Sequence, residues 1–436
     1  MASSQAEPLR VLGLGDPVTD ICCDVSHELL QRTGAQPGGC MLVSPAEMQA
    51  LLDAAATDAP AACVPGGSAA NVLKGLAAVS GGALEPQFFG MVGADAAGSH
   101  YERELRAHGV QPRLLRCASG APTAACVCLV TPDGQRTMRT CLGAAAELTV
   151  AAQLPPGWAA GRPALLHVEG YALYKPALAR DAMAAARAAG ATVSLDLASF
   201  EVVRGCRGAL MELLAEGLVD VVFCNEEEAA ALAGAEAAGG SGCGGGLSGV
   251  AAADAAAAIV LQHARVCVVS LGARGAVARA AGGEAGSAPA AAVRVVDTIG
   301  AGDLFSAGFL FALLRGCPLS TCCAAGCAAG AEAVQARGTG LPAAAWQRLR
   351  AAVAALVASG GDAASARGPK IPGVPPRAAG VACPAGRKRG PLGHGLALSP
   401  GLERGRVAGA SVASSMGSSA STQWLAVMDA LADAPA

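Results

Sequence analysis

Val295-Val296-Asp297-Thr298-Ile299-Gly300-Ala301-Gly302-Asp303-Leu304-Phe305-Ser306-Ala307-Gly308-Phe309 decides the reading of this chain. An apolar strand runs into a turn of Gly and Ala, then a single carboxylate, then a helix with almost no charge. Small residues at 300 to 302 let backbone N–H groups converge at a helix N-terminus, where unsatisfied donors and the helix dipole favour an anion. A carboxylate beside that hole would repel a phosphate, so Asp303 makes little sense as a binding group. It fits a base that takes a proton from an attacking hydroxyl while amides of Gly300, Ala301 and Gly302 hold a transferring phosphoryl group.

The simpler alternative is a tight strand-turn-helix connection in which Asp303 caps the helix, and a lone Gly-x-Gly-Asp is usually that. Here the helix is apolar on every face. Phe305, Phe309, Leu310, Phe311, Leu313 and Leu314 read as a buried central helix, whose N-terminus would lie inside the protein.

Working outward, Asp297 to Asp303 resembles the C-terminal signature of the PfkB carbohydrate kinases, the ribokinase and adenosine kinase family. Pro65-Gly66-Gly67-Ser68-Ala69-Ala70-Asn71-Val72-Leu73-Lys74-Gly75-Leu76-Ala77 resembles the N-terminal signature. Two signatures in the right order are far more specific than either alone, and the similarity runs over about residues 9 to 350. The resemblance implies a ribokinase-like three-layer α/β/α core with a mostly parallel central sheet and a small β-sheet lid. It also implies ATP-dependent phosphorylation of a hydroxymethyl group on a nucleoside or sugar.

That resemblance assigns further roles. In Gly15-Asp16-Pro17-Val18-Thr19-Asp20-Ile21, Asp20 matches the aspartate that grips sugar hydroxyls; an ionised carboxylate accepts two at once, which suits a vicinal diol. Gly66, Gly67 and Asn71 complete the acceptor pocket. Taken alone, Asp20 and Gly66-Gly67 read as turn residues, and only the joint pattern favours a pocket. Asn225 and Glu228 match an Asn-x-x-Glu element that organises magnesium and its waters, although a helix capping box gives the same spelling. Arg136 is the lid arginine that reaches over the phosphates, with a solvated loop arginine as the alternative. Ser270-Leu271-Gly272-Ala273-Arg274-Gly275 matches a segment that touches ATP, through Ser270, Gly272 and Gly275. Potassium beside Asp297 and Ile299 is a further implication of the family.

Two absences narrow the class. No Gly-x-x-x-x-Gly-Lys-Ser/Thr occurs, so this is not a P-loop kinase. Gly13-x-Gly15 lacks the third glycine of a nicotinamide-binding turn.

The acceptor is less legible. Gly66 to Asn71 and Gly15 to Ile21 resemble adenosine kinase, and Ser68 stands where ribokinase would carry lysine. Neither lid segment (Cys22 to Val43 and Ala118 to Leu142) holds an aromatic ring to stack on adenine, which leaves Met41, Leu42 or Met138. Nucleoside and sugar stay close, with a lean to nucleoside. A non-catalytic PfkB-like binding or assembly subunit is the reading from another class, and only the long tail favours it.

Composition sets the frame. The 436 residues are 53% hydrophobic and 15% charged, with a formal net charge of -3. The core is ample and no basic surface recommends nucleic acid. The 17 cysteines and 6 histidines include no Cys-x-x-Cys pair. The spacing gives neither a zinc site nor a disulfide framework, and reduced thiols point to a cytoplasmic compartment. The leader Met1 to Pro8 is too short and polar for a signal peptide, and a membrane span or membrane partner is not expected.

Apolar runs at 9–14, 84–92, 164–168, 192–197, 219–224 and 266–271 read as strands. Alanine-rich patterns at 69–79, 177–189, 208–215 and 226–233 read as helices, and the alternation argues for a parallel sheet covered on both faces. The lid segments turn at Pro37-Gly38-Gly39 and Pro132-Asp133-Gly134. Gly239 to Gly249 and Ala281 to Ala292 read as loops. Residues 9–350 form the kinase domain, and residues 361–436 a low-complexity, disordered tail with a short helix at Trp424 to Ala432. Oligomeric state is not legible.

Overall fold

In the computed structural model, residues 7–34, 39–55, 62–132, 136–234 and 249–360 are described. The tail, the turns at Pro37-Gly38 and Asp133-Gly134 and most of the loop at Gly239 to Gly249 lie outside them.

The core strands are β1 (Leu9–Leu14), β5 (Leu84–Val92), β6 (Gln111–Arg116), β9 (Leu165–Glu169), β10 (Thr192–Asp196), β11 (Val221–Asn225), β12 (Val266–Ser270), β13 (Ala276–Ala280) and β14 (Ala285–Ala288). They form one sheet in the order β14-β13-β12-β11-β10-β9-β1-β5-β6. From β12 to β6 every pairing is parallel, and β13 and β14 add an antiparallel edge. Alternate side chains feed two separate cores. Val11, Val221, Phe223 and Val268 pack under helices Ser68–Ser80, Ala301–Leu314, Leu319–Ala333 and Ala343–Gly360. Leu12, Leu166, Val193, Val222 and Val269 pack under Pro176–Ala188, Arg207–Ala215, Glu226–Leu232 and Gly249–Val260 on the other face. The three-layer arrangement thus follows from period-two burial in strands apolar on both faces.

A second sheet stands apart, built from β2 (Val18–Asp24), β3 (Cys40–Leu42), β4 (Ala62–Pro65), β7 (Ala124–Val130) and β8 (Arg136–Cys141) in the order β3-β8-β7-β2-β4. One face, with Ile21, Cys23, Val127 and Leu129, makes its own core with Leu29, Leu30, Met48 and Leu52. The other carries Val18, Cys22, Cys126, Cys128 and Met138 and packs toward Ile299. This is the expected lid, with changed bounds: it starts at Val18, takes in β4, and includes the helix His27–Arg32.

Two expectations need correction. Val295-Val296 form no strand: both are exposed (60% and 55%), and the amide of Val296 donates to the Val334 carbonyl beyond a helix end. Ala281 to Ala292 is not simply a loop, because Ala285–Ala288 pairs with Ala276–Ala280 as the sheet edge. Its Ala, Gly and Ser residues carry no strand signature.

The helix Ala301–Leu314 is buried all round from Leu304 onward, as its sequence suggested. Glycines allow its neighbours to approach closely. A Cβ on Gly75 would lie 2.5 Å from Ala307 Cβ, and one on Gly308 would run into the Ala325 carbonyl and lie 3.0 Å from Ala329 Cβ. Gly308→Val is therefore expected to destabilise the fold by about 3 kcal/mol, because backbone on the facing helix must move. Chemical denaturation measures this, and an unchanged midpoint would contradict the packing argument.

Candidate active site

The parallel strands end in polar residues, and the lid faces those ends. Asp16 follows β1, Glu169 closes β9, Asp196 closes β10, Asn225 closes β11 and Ser270 closes β12. All five line one cleft of about 470 Å³, with Asp20, Cys126 and Met138 of the lid across from them. Open α/β sheets bind ligands at this end of their strands.

Asp303 is the third residue of its helix. Gly300, with φ 72°, caps that helix, a left-handed position that suits glycine. The Ala301 amide donates to the Thr298 carbonyl at 3.3 Å. The amides of Gly300 and Gly302 have no backbone acceptor among the described residues. Ser68 Oγ donates to Asp303 Oδ1 at 2.7 Å and Asn71 Nδ2 donates to Oδ2 at 2.9 Å. The two signatures thus meet at one carboxylate. Burial raises the pKa of Asp303, while the bonds from Asn71 and Ser68 and the charge of Lys74 lower it. Asn71 turns toward Asp303, with its Oδ1 3.4 Å from Lys74 Nζ.

Asp20 faces the same cleft from β2. Gly66 backs directly onto it: a Cβ there would lie 2.5 Å from Asp20 Cγ. Gly67, with φ 87°, begins the helix Ser68–Ser80 against the Asp16 carbonyl. Arg136 forms an ion pair with Asp297, joining the lid to the segment before the helix. Its Nε and Nη1 are buried without a hydrogen-bond partner among the described residues, two donors suited to an anion. Asp297 also accepts from the amides of Ile299 at 2.6 Å and Gly338 at 2.8 Å. A potassium ion at that carboxylate would sit beside the like charge of Arg136.

Asn225 and Glu228 do form a capping box, with bonds of 2.8 and 2.9 Å between them, and both still line the cleft. Ser270, Ile299, Gly300 and Gly302 also line it. Gly66, Ala301, Asp297, Gly272 and Gly275 lie behind it or outside it. Gly275 has φ 96° and abuts Ala288, so its place is structural.

Sequence reasoning missed Glu169, Asp196, Lys175, Tyr171 and Tyr174, and it gave Lys74 no role. Glu169 accepts from the amides of Asp16 at 2.7 Å and Ala69 at 2.9 Å, while Lys175 pairs with Asp16. Tyr171 and Tyr174 enter the cleft from the turn after β9, so aromatic rings reach it from the core rather than the lid. A carboxylate at or just past the ends of the candidate strands β1, β9 and β10 was the available signal.

Burial is the largest cause of the shift at each of these carboxyls. It pushes Asp20 and Asp196 up to about 7, and Glu169 and Glu228 up to about 8. Such groups keep protons in the fold that the unfolded chain has released. Their contribution is complete at low pH and is lost as pH rises through those values. His167, held by burial down to about 3 from 6.5, opposes them only at lower pH. Lys74, brought to about 8 from 10.5, is relieved only above that. Between pH about 6.5 and 8 the ligand-free protein should thus lose stability, and a denaturation midpoint rising over that interval would contradict this.

The cleft has relatives. The model of the pfkB family carbohydrate kinases matches residues 54–346. A fructokinase from Klebsiella pneumoniae is 31% identical over 256 residues, which are 57% of this chain and 76% of that protein. An aminoimidazole riboside kinase from Salmonella typhimurium is 30% identical over 262 residues, 58% of this chain and 74% of that one. Adenosine kinase from Sinorhizobium meliloti superposes with a TM-score of 0.69 at 29% identity, over 80% of this chain and 99% of its own. A probable sugar kinase from Rhizobium etli gives 0.70 at 28% identity, over 80% and 100%. No helix among the described residues is long and apolar enough to cross a membrane.

Proposed function

Because this chain belongs to the pfkB family of carbohydrate kinases, we propose that it transfers the terminal phosphoryl group of ATP to a hydroxymethyl group of a nucleoside or sugar, with Asp303 as base. The observation that carries this reading is the Asp303 carboxylate, oriented by Ser68 and Asn71 beside the amides of Gly300 and Gly302, which have no acceptor among the described residues. Asp20 accepts acceptor hydroxyls and positions the reacting one. Asp303 takes its proton as the new bond to phosphorus forms, and the Gly300 and Gly302 amides receive the phosphoryl oxygens. Arg136 moves from Asp297 toward the phosphates as the lid closes.

Magnesium fits the far side of the cleft. Glu228 and Asp196 are hard oxygen donors whose charged forms are disfavoured first by burial and then by a neighbouring carboxylate, Asp196 acting on Glu228 and Asp303 on Asp196, a deficit that a cation relieves. They would hold it with Asn225 through its waters, where it would neutralise charge on the phosphates. Tyr171 and Tyr174, together with the likeness to adenosine kinases, favour a nucleoside over a simple sugar. A potassium ion near Asp297 belongs with the state in which Arg136 has left.

The test is ATP turnover with magnesium, with and without potassium, against adenosine, other nucleosides, ribose and fructose. One acceptor well above the others is expected; no turnover in a protein that still binds ATP would leave a non-catalytic subunit. Lys74 supplies a check on the electrostatics, since its charge lowers the pKa of both Asp20 and Asp303. Lys74→Gln should move the acidic limb of kcat/KM to higher pH, and an unmoved limb would refute that coupling.

A further inference from the structure

The lid face that looks into the cleft carries an unexpected group of ligands. β2 and β7 pair in parallel with Asp20 opposite Cys126 and Cys22 opposite Cys128. Residues two apart on a strand share a face. Cys126 and Cys128 therefore sit beside Asp20, although their spacing resembles no zinc motif. The carboxylate oxygen and the two sulfurs all lie within 4.8 Å of one another, and the sulfurs are 3.8 Å apart. Zn–S bonds of about 2.3 Å at a tetrahedral angle separate two sulfurs by ~3.8 Å. Asp20 and Cys126 both line the cleft, which supplies an entry path and leaves a fourth position facing it.

We propose that Asp20, Cys126 and Cys128 form a site for a thiophilic divalent cation of the Zn²⁺ class, and that cation and acceptor exclude one another there. Three protein ligands with one open position make an exchangeable site rather than a closed structural one. Binding releases the two thiol protons to solvent. Two thiolates and a carboxylate outweigh the dication by one negative charge, and Lys74, whose charge already acts on Asp20, offsets it. Cys22, directly opposite Cys128 in the strand register, flanks the ligand set. The exclusion rests on reading Asp20 as the acceptor's grip; the ligand set does not.

The experiment uses the full chain, reduced, with Co²⁺ as the spectroscopic stand-in for Zn²⁺. Wild type should show thiolate-to-cobalt charge-transfer absorption that falls in both Cys126→Ser and Cys128→Ala, while Cys323→Ala on the distant helix keeps it. In turnover assays Zn²⁺ should raise the acceptor KM without lowering kcat. Cys128→Ala should keep basal turnover and need at least ~10-fold more Zn²⁺ for the same effect, a comparison that cancels Zn²⁺ bound to ATP. Charge transfer that persists in both variants overturns the site. Cysteine-dependent binding with an unchanged acceptor KM overturns the exclusion and with it the role of Asp20. Cysteine-dependent binding in a protein with no turnover at all upholds the ligand set and overturns the kinase reading instead.

Discussion

Asp303→Asn is expected to lower kcat at least ~10²-fold while the acceptor KM changes by less than about threefold. The variant isolates the proton-accepting function because the local bonds survive it. The new amide can keep its oxygen toward Asn71 Nδ2 and turn its NH₂ toward Ser68 Oγ, whose hydroxyl rotates to accept. Both present partners, at 2.9 and 2.7 Å, are thus retained. Asn71 itself has little freedom to flip, since its Oδ1 faces Lys74 Nζ. Folding should not suffer either: a buried carboxyl whose pKa burial raises is replaced by a neutral group of the same shape. The melting temperature should hold or rise at pH 8. A variant with wild-type kcat would remove Asp303 as the base. A variant that loses kcat only because it unfolds would show in the melting curve.

The parts of this site that were legible in the sequence are those made locally. Gly300 to Asp303 read as a turn feeding a buried helix, and it is one, because the turn chemistry and the apolar run lie in adjacent residues. The central strands were legible from apolar runs, since strands covered on both faces need no alternation. Two things were not. Asp16, Glu169 and Asp196 stand alone at strand ends, and only strand order brings them around one cleft. Asp20 and Cys126 became neighbours through the register of β2 on β7, which no spacing in either segment encodes. The Val295-Val296 strand failed for a related reason. An apolar pair suggests a strand, but a strand exists only by pairing with another, and the Val296 amide bonds instead to the Val334 carbonyl at a helix end.

Asp20→Ala should reduce kcat/KM for the preferred acceptor by roughly 10² to 10⁴, mostly through KM. Two hydroxyl bonds to a carboxylate contribute about 1.5–3 kcal/mol each when the charge is intact, and about 1.4 kcal/mol is a factor of ten. The loss should be least at low pH. Burial pushes Asp20 up to about 7, with Lys74 pulling it down and Asp303 pushing it further up. Below that value the free enzyme carries a protonated carboxyl, which accepts hydroxyl bonds poorly, so wild-type kcat/KM should climb from pH 6 to 8. Asp20→Ala should flatten that climb and leave only the limb that belongs to Asp303. Gly66→Ala gives an independent approach to the same group, since its methyl would drive into the Asp20 carboxylate and displace it with the charge intact. If Asp20 grips the acceptor, Gly66→Ala raises KM yet keeps the pH dependence. If Asp20 is only a structural residue of the lid strand β2, Asp20→Ala leaves KM and the pH profile unmoved.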